Sequence, residues 1–278
     1  MEYHNPKIPE GINLTDEHPL KDFLAMLLGI GLIVVLIIVI LMYLAETLVR
    51  FIPFEVEVKL TENFPSLLEQ RNTVEHQRIE TYLQELTDKL SIAQQLPEGM
   101  KITTHYLAVD EVNAFATLGG NVVIFQGLLK KLPNENALAM VLAHEIAHIK
   151  HRDPIVALGR GITISLAIMS LMGAGDSGVS QQLIGNISLM TGLSFSRSQE
   201  QAADQVALLT LQQHFGHVTG ADEIFKLFMS EQQGAELPLF LSTHPQHEDR
   251  LEAVRRFTQR EKGEQEYRLK NLPDWIHY

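Results

Sequence analysis

Residues 134–151 read NENALAMVLAHEIAHIKH, and this stretch is the most informative part of the sequence about the fold. It follows a turn at Leu132-Pro133, and Asn134 is a good N-cap for a helix that runs to about His151. Glu135 lies in the first turn, where the helix dipole favours a carboxylate. One face of this helix is apolar enough to be buried, and it carries Leu138, Val141, Leu142, Ile146 and Ile149. We therefore predict a helix that packs into the core of a domain.

The same helix contains His144-Glu145-Ile146-Ala147-His148, an HExxH sequence. Residues four apart on a helix lie on one face, so the two imidazoles can converge on one metal ion. Glu145 projects beside them and is the candidate general base for an attacking water molecule. The competing interpretation is a pair of partly exposed histidines on an amphipathic helix that binds no metal.

A catalytic zinc ion needs a third protein ligand and keeps one position open. The pattern HExxHxxGxxH would supply that ligand nearby, but its glycine and third histidine positions hold His151 and Pro154. His151 lies too far along the helix axis to close a tetrahedron with His144 and His148. The third ligand is therefore expected elsewhere in the chain.

A second predicted helix begins at Phe195-Ser196-Arg197 and continues through Leu211. Glu200 and Asp204 are one turn apart on it and share a face. Such a pair alone is usually a solvated acidic surface, but the HExxH sequence upstream makes Glu200 the candidate third ligand. Asp204 is then placed to accept the free N–H of a ligating imidazole. We predict one zinc ion per chain.

The composition limits which sites and partners are available. The chain has 278 residues, 12 histidines and no cysteine, so disulfide frameworks, iron–sulfur ligation and thiol nucleophiles are excluded. A metal must be held by His, Asp or Glu. The formal net charge of −12 disfavours a nucleic-acid partner, because binding to phosphates is driven by Lys and Arg.

The apolar residues are concentrated near the N-terminus. Residues 23–44, FLAMLLGIGLIVVLIIVILMYL, form a run of 22 without one charge, and a helix of that length covers roughly 33 Å. The acidic residues 1–22 that precede it and the length of the run argue against a cleaved signal peptide. Its lack of amphipathicity argues against a buried core helix. We predict a transmembrane anchor that contacts the lipid bilayer, followed by one domain at 45–278. Basic residues flank the run equally, so they indicate no orientation.

The remaining pattern indicates an α+β domain that is mainly helical with a small sheet. The alternating residues 54–60 predict a strand, and residues 65–96 predict an amphipathic helix. Residues 101–109 predict another strand. Residues 113–117 and 121–125 predict two strands joined by Leu118-Gly119-Gly120, because adjacent glycines tolerate the positive φ of a tight hairpin. Residues 248–262 predict a final amphipathic helix.

Several of these motifs occur together in one known family. The strings NAFA, GG with an apolar strand, HEIAH, SRxxExxAD and STHP resemble the gluzincin zinc metallopeptidases that include HtpX, BepA and the CAAX prenyl proteases. The resemblance covers roughly residues 110–251. It implies a zincin-type metalloendopeptidase that cleaves polypeptides in membrane or envelope quality control, with His144, His148 and Glu200 as zinc ligands and Glu145 as general base. Ala202 departs from the family, which commonly has glutamate there.

The resemblance also implies roles for residues outside the two helices. Asn113-Ala114-Phe115-Ala116 would form the edge strand along which a substrate peptide aligns, which is also a physically reasonable mode of peptide capture. His244 would lie by the metal with Arg250 near it. His244 could donate to an oxyanion or occupy the open zinc position in a resting state, and the sequence does not choose between these roles.

Three further questions stay open at the level of sequence. The apolar run within residues 161–193 could dip into the membrane or form a helical lid over the cleft. The resemblance favours a bacterial inner-membrane anchor with a periplasmic catalytic domain. A chaperone-like protein that binds unfolded chains with little proteolysis is the alternative function, although it would not need Glu145. Nothing in the sequence indicates an oligomeric state.

Overall fold

The HExxH stretch forms α6 (Glu135–Lys150), and this helix is the centre of the domain. The side chain of Asn134 accepts a hydrogen bond from the backbone N–H of Ala137 at 2.9 Å, as predicted for an N-cap. Every residue from Glu135 to Ile149 is buried, so the polar face is enclosed as well as the apolar one. The ionisable groups of α6 must therefore find partners inside the protein.

The computed structural model describes residues 19–68, 73–172, 194–231, 240, 244, 248–261 and 267–277. Around α6 these residues form α1 (Pro19–Val49), α2 (Phe54–Leu60), α3 (Phe64–Leu67), α4 (Val74–Gln94), α5 (Gln126–Lys131), α7 (Asp153–Met172), α8 (Arg197–Phe215), α9 (Glu223–Glu231) and α10 (Glu248–Glu261). Short 3₁₀ turns occur at Leu118–Gly120 and Asp274–His277.

A three-stranded sheet packs against α4 and α6. The strands are β1 (Thr103–Leu107), β2 (Ala114–Thr117) and β3 (Asn121–Phe125), in the spatial order β1-β3-β2. The predicted hairpin is confirmed, because β2 and β3 pair antiparallel with Ala114 opposite Ile124. Strand β1 pairs parallel to β3, with Thr103 opposite Asn121. Strand β2 is therefore at the edge of this described sheet.

The prediction of a strand at residues 54–60 is wrong, because this segment is α2. Its alternating apolar residues do not mark a buried face: Val56, Val58 and Leu60 are exposed. The buried side chains are Glu57 and Thr61, which lie one turn apart on a helix and would lie on one face only in that conformation. Tertiary contacts of these polar residues override the period-2 pattern.

The predicted helix over residues 65–96 is shorter than expected. It begins after Thr73, whose side-chain oxygen accepts a hydrogen bond from the backbone N–H of His76 at 3.2 Å. Its predicted apolar face is mostly confirmed, since Ile79, Leu83, Leu86 and Leu90 are buried, whereas Val74 at the start is exposed.

Helix α1 is the one helix among the described residues that is long and apolar enough to cross a membrane. Along its second half it packs against α7, which contains the start of the apolar run within 161–193. Arg160 of α7 donates to Glu46 of α1 at 2.6 and 2.9 Å. A Cβ on Gly159 would lie 2.9 Å from Val49, so glycine permits this close approach. Residues 173–193, which would complete either a membrane-dipping hairpin or a lid, lie outside the described residues.

We expect Gly120→Ala to destabilise the domain far more than Gly216→Ala. Both glycines have positive φ, 80° and 78°, which costs a residue with a Cβ roughly 1–2 kcal/mol. A Cβ on Gly120 would also lie 2.0 Å from the carbonyl oxygen of Lys101, whereas nothing lies within 4 Å of a Cβ on Gly216. Backbone overpacking adds roughly 1–3 kcal/mol at Gly120 alone. Thermal unfolding of both variants in detergent would measure the difference, and equal losses would contradict the close packing of the hairpin turn.

Candidate metal centre

Four buried side chains converge on one point between α6, α8 and the segment that contains His244. One ligand atom each from His144, His148, Glu200 and His244 can be chosen so that all lie within 4.8 Å of one another. The predicted set of two histidines and Glu200 is thus brought together, and His244 joins it. Helix α8 presents Glu200 in its first turn because Ser196 and Gln199 form a reciprocal capping box that fixes where the helix starts.

The spacing of these atoms fits a tetrahedral ion. The Nε2 atoms of His144 and His148 are 3.0 Å apart. The carboxylate of Glu200 lies 3.5 Å from the first and 3.4 Å from the second. For metal–ligand bonds of about 2.0–2.1 Å, the edges of a tetrahedron measure roughly 3.3–3.4 Å. The two Nε2 atoms and the Glu200 carboxylate, which faces His144 with Oε2 and His148 with Oε1, therefore surround a space of the size that zinc occupies.

His244 places its Nδ1 atom at the fourth corner of the same arrangement. This atom lies 3.3 Å from Nε2 of His144 and 3.0 Å from Oε1 of Glu200. The imidazole is fully buried and stacks on Phe240 with ring centroids 4.5 Å apart. Its other nitrogen, Nε2, has no hydrogen-bond partner and lies 3.5 Å from Glu145.

Each α6 histidine is oriented by a carboxylate on its far nitrogen. Nδ1 of His144 pairs with Asp204 at 2.9 Å, the contact expected from the spacing of Asp204 and Glu200. Nδ1 of His148 pairs with Asp153 at 2.8 Å. Carboxylates in this position fix the tautomer and direct Nε2 toward a metal.

Sequence reasoning missed Asp153, which lies at the start of α7. Asp153 is 1% exposed, and its second oxygen accepts a hydrogen bond from the side chain of Gln199 at 2.7 Å. A signal was present, because each ligating imidazole requires a partner for its free N–H, and Asp204 was the one such partner predicted for the two histidines. Asp153 is the first carboxylate that follows the HExxH helix in the sequence.

Arg250 of α10 neutralises the carboxylates at the side of α8. Its Nε and Nη2 atoms donate to Asp204 at 2.7 and 2.9 Å, and its Nη1 atom lies 2.5 Å from Glu200. Arg250 is 3% exposed, so this is a buried bidentate pair. The expected proximity of Arg250 to the cluster is thus observed.

The electrostatics of the cluster favour positive charge at its centre. Burial alone would lower the pKa of His144, but hydrogen bonds with Asp204 and Glu200 raise it to about 10. The pKa of His148 is raised against burial by Asp153 and Glu200. Burial would raise the pKa of Glu200, but His244 and the two α6 histidines hold it below its usual range. A buried site with this preference suits a divalent cation.

Glu145 is fully buried, and neither of its carboxylate oxygens has a hydrogen-bond partner among the residues that the structure describes. Because buried carboxylates are almost always hydrogen bonded, such an exception calls for a functional explanation. The position of Glu145 next to the ligand cluster provides one, since a free carboxylate can bind and deprotonate a water molecule.

The predicted substrate strand forms the edge of the sheet, with Ala114, Phe115 and Ala116 in β2 and Asn113 just before it. The backbone carbonyl of Asn113 accepts a hydrogen bond from Phe125, so this residue also belongs to the hairpin. Strand β2 packs against α6 and α7, and all four residues are at most 4% exposed. The structure thus places them at an edge, but an edge that is closed to solvent.

Comparison with known proteins matches the region that contains this cluster. A profile of peptidase family M48 matches residues 75–258. The beta-barrel assembly-enhancing protease of Escherichia coli (strain K12) is 33% identical over 172 residues, covering 56% of this chain and 35% of that protein. The mitochondrial metalloendopeptidase OMA1 of Schizosaccharomyces pombe is 31% identical over 160 residues, covering 56% of this chain and 46% of its own length.

Metalloprotease LoiP of Escherichia coli (strain K12) is 28% identical over 155 residues, which is 54% of this chain and 60% of that protein. The match to the beta-barrel assembly-enhancing protease thus spans about a third of that relative's length. The family match nevertheless covers well over half of the chain and includes every residue of the cluster from His144 to Arg250. The chain belongs to peptidase family M48, a family of metallopeptidases.

Proposed function

We propose that this chain is a membrane-anchored zinc metalloendopeptidase that hydrolyses peptide bonds of protein substrates. The observation that carries the proposal is the convergence of His144, His148 and Glu200 beside the unpartnered carboxylate of Glu145. A protein that only bound unfolded chains would have no use for a buried carboxylate that no hydrogen bond from the described residues satisfies. Membership of family M48 supports the same activity.

Zinc is the metal that this donor set suits best. Two imidazoles and one carboxylate are a common ligand set of catalytic zinc, and the chain has no cysteine to form a structural site. His144, His148 and Glu200 would hold one ion per chain, with Asp204 and Asp153 orienting the imidazoles. When bound, zinc supplies a Lewis acid that polarises a carbonyl group and lowers the pKa of water.

The residues of the chain divide the remaining chemistry between them. Glu145 accepts the proton of the attacking water and later gives it to the leaving amine. Its burial excludes bulk solvent, and this strengthens the electrostatic interactions that act on the scissile bond. An extended peptide would pair with the backbone of β2, which requires the closed edge of that strand to open.

The geometry favours one of the two roles considered for His244. Its Nδ1 atom lies 3.3 Å from Nε2 of His144 and 3.0 Å from Oε1 of Glu200, so it faces the same space as the three proposed ligands. An oxyanion donor would instead face the space beside the metal that a substrate carbonyl enters. We therefore propose that His244 occupies the open position in a resting state and leaves it when substrate binds.

The anchor and the compartment are proposed from the sequence pattern and the relatives. Helix α1 exposes apolar side chains along its length, such as Leu24, Leu32 and Leu41. Helix α2 exposes Val56, Val58 and Leu60 next to the charged Glu55 and Lys59, and Glu57 alone of its polar residues is buried. An exposed apolar cluster of this kind suits a helix that lies near lipid. By similarity to the beta-barrel assembly-enhancing protease, we propose a role in envelope protein quality control, with the domain on the periplasmic side of a bacterial inner membrane.

We expect Glu145→Gln to keep the metal and lose peptide hydrolysis, because it removes the base and no ligand. Glu200→Ala should lose both, because two imidazoles alone bind zinc weakly. Elemental analysis and casein hydrolysis of the purified full-length chain would measure the two effects, with the exposed Glu85→Gln as a control that changes neither. Full casein hydrolysis by Glu145→Gln would overturn the proposed function, and full metal content in Glu200→Ala would show that another residue is the third ligand.

His244→Ala should raise the rate of peptide hydrolysis severalfold while the metal content stays at one ion per chain. The fourth corner is then free before substrate arrives, and the three ligands remain. A half-buried histidine in the last turn of α8, His214, serves as the control for removing an imidazole. A fall of about 10²–10³ in kcat would instead assign His244 as an oxyanion donor.

A spin label at Leu60→Cys should lie in the lipid interface, whereas one at Val74→Cys should lie in water. Both side chains are exposed, 63% and 84%, and the cysteine-free chain lets each label be attached alone. Val74 begins the 21-residue α4, and the part of the chain that approaches α2 lies past the other end of that helix, where a Cβ on Gly99 would lie 3.8 Å from Glu55. In proteoliposomes the Leu60 label should collide more with oxygen than with a polar nickel complex, and the Val74 label the reverse. Equal preference for the nickel complex would show that α2 does not lie against lipid.

A further inference from the structure

The segment that follows the membrane helix is joined to the end of the HExxH helix by a buried network. Glu57 of α2 is 3% exposed although it carries a carboxylate. Its Oε1 atom accepts a hydrogen bond from Nε of Arg152 at 2.7 Å. A second guanidinium nitrogen of Arg152 donates to the backbone carbonyl of Ile52, between α1 and α2, at 2.8 Å. The planar guanidinium holds several N–H donors in a fixed geometry, so one arginine side chain makes both bonds at once.

Arg152 occupies a backbone conformation that its residue type does not favour. Its φ is 64°, in the left-handed region where a Cβ is crowded. This single residue connects the end of α6, capped by His151, to Asp153 at the start of α7. The conformation persists where surrounding contacts enforce it, and such strain is concentrated at functional sites. The side-chain bonds to Glu57 and Ile52 are contacts of that kind.

The turn at Arg152 sets the position of Asp153, and Asp153 orients a metal ligand. The carboxylate of Asp153 accepts a hydrogen bond from Nδ1 of His148 at 2.8 Å. This bond orients the imidazole so that its Nε2 atom faces Glu200. A different φ at Arg152 would swing the start of α7 and carry this carboxylate away from the imidazole. The network therefore reaches from the membrane-proximal chain to the metal cluster in three steps: Glu57 to Arg152, Arg152 to Asp153, and Asp153 to His148.

The same glutamate also fixes the hairpin turn. Oε2 of Glu57 accepts from the backbone N–H of Gly119 at 3.2 Å. A Cβ on Gly119 would lie 2.1 Å from Thr61, so the turn and α2 are in direct contact. One buried carboxylate thus ties α2 both to the β2–β3 turn and to the end of α6.

We propose that Glu57 and Arg152 are positioning residues of the metal centre, acting on His148 through Asp153. The proposal rests on the assignment of His144, His148 and Glu200 as metal ligands. It makes the membrane-proximal segment part of the catalytic unit, because the orientation of one ligand depends on contacts with Ile52 and Glu57. The competing interpretation is an ion pair that stabilises the fold and has no effect on the metal.

Zinc affinity of the full-length chain in detergent, measured by competition with a chelator, separates these interpretations. Asp153→Asn sets the scale, since loss of a carboxylate behind a ligating histidine typically weakens metal binding about 10–100-fold. Arg152→Ala should weaken zinc binding by about the same factor, and the double variant should be no weaker than the worse single one, because both act through one contact. Glu57→Gln, which keeps the shape of the side chain, should weaken binding in the same direction.

Arg160→Gln is the matched control, because it removes another ion pair between the membrane-proximal chain and α7 without touching Asp153. It should leave zinc affinity unchanged, even if it lowers Tm as much as Arg152→Ala does. The proposal is overturned if Arg152→Ala and Glu57→Gln bind zinc within twofold of the parent chain, or if the effects of Arg152→Ala and Asp153→Asn multiply. A parent chain that binds no zinc would instead refute the proposed function.

Discussion

The structure depends on the enclosure of the HExxH face of α6. Burying two imidazoles on one helix is costly unless each finds a charged or hydrogen-bonded partner. The partners come from elements far apart in the chain: Glu200 and Asp204 from α8, Asp153 from α7, and Arg250 from α10. The cluster of His144, His148 and Glu200 therefore forms only when these helices pack around α6.

Local sequence patterns predicted the helices and the hairpin whose geometry is determined by residues close together in the sequence. The N-cap at Asn134, the capping box at Ser196 and the Gly-Gly turn at Gly119 each specify local backbone geometry within a few residues. Helix α6, helix α8 and the hairpin were accordingly found near their predicted bounds. The proposed ligand set was reached in a similar way, because i, i+4 spacing on a helix fixes which side chains share a face.

The errors arose where long-range contacts decide the structure. In α2 the alternation of apolar residues predicts a strand. The segment is a helix in which Glu57 and Thr61 are buried, because Glu57 accepts a hydrogen bond from Arg152 and Thr61 accepts one from Asn121 at the hairpin turn. Asp153 and the parallel pairing of β1 with β3 were not predicted either, since each joins segments whose proximity only the fold creates. Period and propensity contain no information about such partners.

The end of α6 is where the membrane-proximal chain and the metal cluster meet. Helix α7 begins at this point, where Asp153 is hydrogen bonded to His148. It then packs along α1, and Arg160 forms a salt bridge with Glu46. Helix α2 reaches the same point through Glu57, and the hairpin that bears β2 rests on α2 at Gly119. We therefore expect a tilt of α1 relative to the domain to change either the backbone conformation of Arg152 or the orientation of the His148 imidazole. Because packed interiors shift as units and do not deform continuously, we infer that the segment between α1 and α2 restricts the geometry of the proposed metal site.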